Sequence, residues 1–213
     1  MLPNDERIQL IHADRWIGYT RARSTLQRLE ELFAWPSKQR MPNLLIIGPT
    51  NNGKSMIIEK FRRDHLQAAV REYQDQELIP IVVVQTPSEP SVARFYAMLL
   101  AIIGAPLRPR AKVAELEHLT LKLLRSVQTK ILVIDELHNV LAGTIDVRKE
   151  FLNLLRFLGN ELRIPIVGVG IRDAYLAIRS DDQLENRFEP VSLPVWEECD
   201  EFLSLLASFS AVL

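Results

Sequence analysis

Asn43-Leu44-Leu45-Ile46-Ile47 runs without a break into Gly48-Pro49-Thr50-Asn51-Asn52-Gly53-Lys54-Ser55, and a helical pattern opens at Lys54. An apolar strand, a loop of the form G-x-x-x-x-G-K-S and a helix, in that order, make a phosphate-binding loop. Gly48 and Gly53 let the backbone curl so that the N–H groups of the loop, including those of Thr50, Asn51 and Asn52, face a phosphate chain. The positive end of the following helix adds to that attraction. Lys54 brings a mobile positive charge to the β- and γ-phosphates, and the Ser55 hydroxyl is placed to ligate Mg²⁺. The expected ligands are ATP and Mg²⁺.

The rest of the chain alternates strands with helices. Apolar strand patterns fall at Leu44–Ile47, Ile81–Gln85, Ile131–Asp135, Ile166–Val169 and Pro190–Leu193. The first four are near-continuous runs, as in strands buried on both faces of a parallel sheet. Helical patterns cover Thr20–Ala34, Lys54 to about Tyr73, Val92–Ile103, Val113–Val127 and Val147–Leu162, and a last one begins at Trp196. The expected architecture is α/β, a five-stranded parallel sheet with helices on both faces. With 213 residues, 47% hydrophobic and 25% charged, the chain can bury a real core, which excludes a disordered or disulfide-stapled class.

The single cysteine, Cys199, allows no intramolecular disulfide and no cysteine metal cluster, and points to a reducing cytoplasm. His12, His65, His118 and His138 lack metal-ligand spacing. The acidic start is unlike a secretory signal, and the longest apolar stretch, Ala97–Ile103, is far below the roughly 20 residues of a membrane span. No membrane partner is expected. A net charge of −1 weighs against a surface coated for nucleic acid and leaves room for a local basic strip.

The strand Ile131-Leu132-Val133-Ile134 ends in Asp135-Glu136. Beside a phosphate-binding loop, Asp135 would hold Mg²⁺ through water, opposite Ser55. Glu136 points differently and would orient and deprotonate a water attacking the γ-phosphate. A second carboxylate has no use in a small-molecule kinase, so the pair favours a hydrolase. His138, two residues on, is read as structural, with contact to that water as the alternative.

These residues resemble the AAA+ ATPases, and within them the TniB/TnsC group of transposition regulators. The likeness is carried by Arg40-Met41-Pro42-Asn43 through Ser55, by Ile131 to His138 with Asp135-Glu136-Leu137-His138, by Gly168-Val169-Gly170 and by Asn186-Arg187-Phe188. It runs from about Asp14 to Pro194. It implies a three-layer nucleotide-binding core at 43–194, a helical lead-in at 1–42 and the start of a helical lid at 195–213. It also implies homo-oligomeric rings or filaments with ATP at subunit interfaces, where Arg187 of a neighbour acts as an arginine finger.

By the same resemblance Trp16, Ile17 or Tyr19 would contact adenine; the alternative is a hydrophobic staple at the start of the first helix. Arg108, Arg110 and Lys112 would follow a DNA backbone from a pore-facing loop, or else form a solvated basic loop. Two departures stand out. The fourth strand ends in Gly168-Val169-Gly170-Ile171, without the polar sensor residue usual in AAA+ proteins, and only 18 residues, Trp196–Leu213, follow Pro194. Such a lid is expected to be incomplete and to assemble poorly.

The implied function is slow, assembly-dependent ATP hydrolysis in a regulator of transposition. It would oligomerise on DNA, select targets and recruit a transposase, with a further target-selection protein as a possible partner. The alternatives are a nucleotide-gated protein adaptor with little turnover and a helicase-loader or initiator-like ATPase.

Overall fold

The computed structural model describes residues 16–72, 78–106, 108 and 110–210. The lead-in before Trp16, the helix end near Tyr73, and Pro109 of the basic loop lie outside the described residues. Helix α1 (Thr20–Phe33) precedes strand β1 (Asn43–Ile47) and helix α2 (Lys54–Glu72). Strand β2 (Ile81–Gln85) leads to α3 (Val92–Ile102) and α4 (Val113–Ser126), then β3 (Ile131–Asp135). A 3₁₀ turn at Leu137–Ala142 and helix α5 (Ile145–Leu162) connect to β4 (Ile166–Gly170). Helices α6 (Arg172–Arg179) and α7 (Asp182–Glu185), strand β5 (Phe188–Ser192) and helix α8 (Asp200–Ser210) complete the order.

All five strands are parallel, in the order β2-β3-β4-β1-β5. The near-continuous apolar runs are explained by burial on both sides. Leu45, Val82, Val84, Leu132, Ile134 and Ile166 pack beneath α3 to α6 on one face. Leu44, Ile46, Ile81, Ile131, Val133, Val167 and Val169 pack against α1 and α2 on the other. The alternation follows from the two-residue period of a strand. Phe95 and Phe151, both fully buried, meet edge to face at 5.1 Å between centroids and tie α3 to α5.

This strand order decides where chemistry can occur. From β1 the chain crosses to the far edge at β2, returns through β3 and β4, then passes β1 to reach β5. Such a reversal opens a crevice at the carboxyl ends of the strands. The loop after β1 and the carboxylates after β3 both lie there, separated by the end of β4.

The largest differences from the sequence expectation are at β5, at the last helix and over residues 172–185. β5 begins at Phe188, two residues ahead of Pro190. It is an edge strand, so Pro190 costs no ladder bond on its open side, and Glu189 reaches Arg28 of α1 in an ion pair. The last helix starts at Asp200 and not at Trp196, because Trp196 is drawn into ring contacts with Tyr19 and Phe202, at 4.8 and 6.0 Å. Residues 172–185, which carried no helical reading, form α6 and α7, the latter capped by Asp181 through the N–H groups of Gln183 and Leu184.

Candidate nucleotide-binding site

The loop after β1 is shaped by two left-handed residues, Asn51 (φ 59°) and Gly53 (φ 79°). Gly48 is required for a different reason from curling: a Cβ there would lie 2.5 Å from the Leu193 carbonyl oxygen. Asn52 donates from Nδ2 to the carbonyls of Leu193 and Pro194, at 2.5 and 2.8 Å, and the Leu193 N–H donates to Ile47 O at 2.7 Å. The loop is thus pinned to the exit of β5. Asn52 holds the loop's shape through its side chain, a role its place in the motif did not reveal.

Lys54 is only 8% exposed and donates from Nζ to Gly48 O and Pro49 O, at 2.8 and 2.6 Å. Burial holds its ammonium below the ordinary lysine range, with the carboxylates of Asp135 and Glu136 opposing that shift. A cation kept on loop carbonyls beside two carboxylates is ready to turn toward an anion entering the cleft. That cleft, about 550 Å³, is lined by Thr50 to Met56, Glu136, His138 and Ile171.

Ser55 and Asp135 meet across the end of the sheet, the Ser55 hydroxyl donating to Asp135 Oδ2 at 3.3 Å. These two hard oxygens would hold Mg²⁺ between them, Ser55 directly and Asp135 through water. No group of three or more His, Cys, Asp or Glu among the described residues forms a metal cage. A cation here would therefore complete its shell with phosphate and water oxygens, as Mg²⁺ commonly does. Asp135 Oδ1 accepts from the Glu136 N–H at 2.8 Å, which fixes the carboxylate's rotation.

Glu136 adopts the left-handed region, φ 54° and ψ 35°. For a non-glycine residue this costs of order 1–3 kcal/mol and is retained where surrounding structure enforces it. Here the enforcement is the 3₁₀ turn, which brings Leu137 down into the core and lifts Glu136 to the cleft. Next to it, Thr86 N–H donates to Asp135 O and Asn139 Nδ2 donates to Thr86 O, at 2.8 and 3.1 Å. Strand β2 is thereby tied to the turn.

Tyr19 approaches the same loop, its hydroxyl 3.6 Å from where a Cβ on Gly53 would sit. Trp16 and Tyr19 pack on the α1–α2 side of the core, and Ile17 is half-buried. The backbone N–H of Thr20 donates to Glu201 Oε1 at 2.8 Å, joining α1 to α8. Trp16 and Tyr19 thus serve as packing groups; their contact with a base is a matter for proposal.

Arg187 lies at the opposite end of the sheet. Its carbonyl accepts from Asn43 N–H at the start of β1, roughly 13 Å along the strand from Ile47. It cannot reach its own phosphate loop. Its guanidinium donates to Asn160 Oδ1 at 2.8 Å and borders a cavity of about 490 Å³ with Trp35, Lys38 and Arg40. Burial first, then the neighbouring charges of Arg40 and Arg156, lower its affinity for the proton, with Asp181 opposing. A crowded like-charge group is relieved by an incoming anion.

Arg108 and Arg110 are exposed in the loop between α3 and α4, and Lys112 caps α4 without a side-chain bond. Arg108 borders a separate cavity of about 360 Å³ with Pro106, Ala111 and Glu115. The basic loop is thus distinct from the nucleotide cleft. No described helix is long and apolar enough to cross a membrane.

The family model described as "Bacterial TniB protein" matches residues 7–198. No curated protein matches the chain. Among solved structures, the Aeropyrum pernix ORC1 protein in complex with DNA aligns with a TM-score of 0.70 at 17% identity, over 95% of this chain and 52% of that one. The Aeropyrum pernix ORC2 protein in its ADPNP–ADP complexes gives 0.67 at 16%, over 95% and 55%. A Walker-type ATPase of Pyrococcus abyssi gives 0.56 at 15%, over 90% and 57%. The chain spans about half the length of these structures, and their likeness to it is one of fold.

Proposed function

This chain belongs to the bacterial TniB family, and we propose that it is an ATP-hydrolysing regulator of DNA transposition that assembles on DNA in its ATP-bound state. The observation carrying this reading is the convergence of Lys54, Ser55, Asp135 and Glu136 on one cleft between β1 and β3. ATP enters with its phosphates along the 48–55 loop, and Lys54 exchanges the loop carbonyls for β- and γ-phosphate oxygens. Ser55 and Asp135 would hold Mg²⁺, which would supply neutralisation of the charge developing on the phosphates. Glu136 takes a proton from water as its oxygen bonds to the γ-phosphorus and the bond to the β–γ bridging oxygen breaks, releasing ADP and phosphate.

Arg187 acts in trans. Its place at the far end of β1 and its like-charged surroundings suit a site in a neighbouring subunit, where a γ-phosphate would supply the missing anion. Adenine is assigned to the surface beside Gly53, with Tyr19 as the principal contact and Trp16 and Ile17 behind it. Assembly into rings or filaments, recruitment of a transposase and contact with a further target-selection protein belong to this same proposal. A nucleotide-gated adaptor is the second reading, favoured by the end of β4, which carries no polar side chain at Gly170 or Ile171.

DNA contact is assigned to Arg108, Arg110 and Lys112, repeated around the oligomer. Replacing both Arg108 and Arg110 with Glu should weaken duplex binding by about tenfold or more and lower its salt dependence by about two per protomer, following the release of counterions from each phosphate contact. ATP binding should stay at the wild-type value, because this loop does not line the cleft. Anisotropy titrations against salt check both; unchanged DNA affinity removes the loop from the interface.

A further inference from the structure

The end of β4 lies between the phosphate loop and Asp135, and it is bare. Gly168 and Gly170 face the same side of the strand. A Cβ at Gly168 would lie 2.6 Å from Leu137 Cδ2, and one at Gly170 would lie 3.2 Å from His138 Nδ1. The two glycines thus form a slot that receives Leu137 and His138 from the 3₁₀ turn. At Gly170 that space is bordered by Ala174 Cβ, at 2.9 Å, together with the imidazole.

His138 Nε2 stands 3.3 Å from Glu136 Oε2. Its Nδ1 is buried and has no hydrogen-bond partner among the described residues. The side chain is one-fifth exposed and borders the cleft together with Thr50 to Met56 and Glu136. A ring whose only purpose was packing would not need a nitrogen on the carboxylate, and an apolar side chain would fill the slot at lower desolvation cost. The 3.3 Å contact is a close approach of imidazole to carboxylate, and a small turn of either side chain would make it a hydrogen bond through Nε2–H.

We propose that His138 is a positioning residue for ATP hydrolysis: it aims the Glu136 carboxylate at the attacking water and distinguishes ATP from ADP in place of a polar residue on β4. The inference rests on the reading of the cleft as an ATPase site. The ring and Glu136 line the same cleft, so a third phosphate reaching Glu136 would meet the ring as well. Glu136 remains the group that receives the proton from water; His138 holds it in the left-handed turn and in the productive rotamer.

The test compares wild type, His138→Ala, His138→Asn and His138→Gln in Mg²⁺-dependent binding of ADP and of a non-hydrolysable ATP analogue, in steady-state turnover and in melting temperature. Losing the imidazole's contact with the Glu136 carboxylate should lower kcat about tenfold or more in His138→Ala, with ADP affinity unchanged and the preference for the ATP analogue lost. His138→Gln should restore both, because its amide nitrogen reaches the place of Nε2. His138→Asn should not, because its amide reaches only the place of Nδ1. Packing alone would not separate Gln from Asn in this way.

Wild-type turnover and an unchanged ATP preference in His138→Ala overturn the inference and leave the ATPase reading standing. A wild type that binds neither nucleotide overturns both. If the wild type binds without turning over, the ATP preference decides: its loss in His138→Ala supports the role, and its persistence refutes it. If His138→Ala does not fold, the Gln and Asn variants decide by the same criteria.

Discussion

Lys54→Ala abolishes the stabilisation of the fold by ATP. In the wild type, saturation at about a hundred times Kd should add about 2.7 kcal/mol and raise the melting temperature. The variant loses the charge that would face the β- and γ-phosphates, and charged hydrogen bonds are individually strong. Its affinity should fall by at least about a hundredfold. The ligand-free variant should itself melt somewhat lower, since Nζ also holds the carbonyls of Gly48 and Pro49 in the resting loop. The decisive quantity is therefore the ATP-induced shift and not the melting temperature alone. A full shift in Lys54→Ala would move the nucleotide elsewhere.

Glu136→Gln gives the opposite pattern: ATP binds and stays. The amide matches the carboxylate in shape and can keep the left-handed backbone, but it cannot accept a proton from water. Turnover should fall about 10²- to 10⁴-fold, the usual contribution of a placed general base, with nucleotide affinity near wild type. Arg187→Ala should also bind ATP and lose turnover, because the residue lies at the far end of β1 from its own loop. Mixing the two variants should recover part of the activity, since a Glu136 site can then face an Arg187 from its neighbour. Normal hydrolysis by Glu136→Gln would remove this residue from the chemistry.

The parallel sheet and the phosphate loop were readable because both are local. Four strands are near-continuous apolar runs, and the glycines, lysine and serine of the loop fall within eight residues. Asp135 and Glu136 were readable because they end such a run. What escaped was the chemistry of close approach between distant segments. Gly48 is small because Leu193 passes over it, and Gly168 and Gly170 because Leu137 and His138 sit against β4. Each pair is separated by at least 30 residues, so no periodicity reports it.

The short helices α6 and α7 escaped for another reason. Ala174, Ala177 and Ile178 bury one narrow face while Arg172, Asp173 and Arg179 surround it, a pattern too brief to stand out from a loop. Arg156 of α5 donates to Gln183 at 2.8 Å and lies 3.6 Å from Asp181, linking α5 to this region. Sequence assigned Arg187 to a neighbour's site only through the resemblance. Only the fold shows that it is out of reach of its own cleft.

The most direct test of ATP-gated assembly on DNA is the affinity of the wild-type protein for duplex DNA with a non-hydrolysable ATP analogue, with ADP and with no nucleotide, at one fixed salt concentration. A coupling of at least about 1.4 kcal/mol, tenfold in affinity, is expected between the ATP analogue and DNA. Equal affinity in all three states would contradict it, and would leave a nucleotide-binding protein whose DNA contacts, if any, are indifferent to ATP.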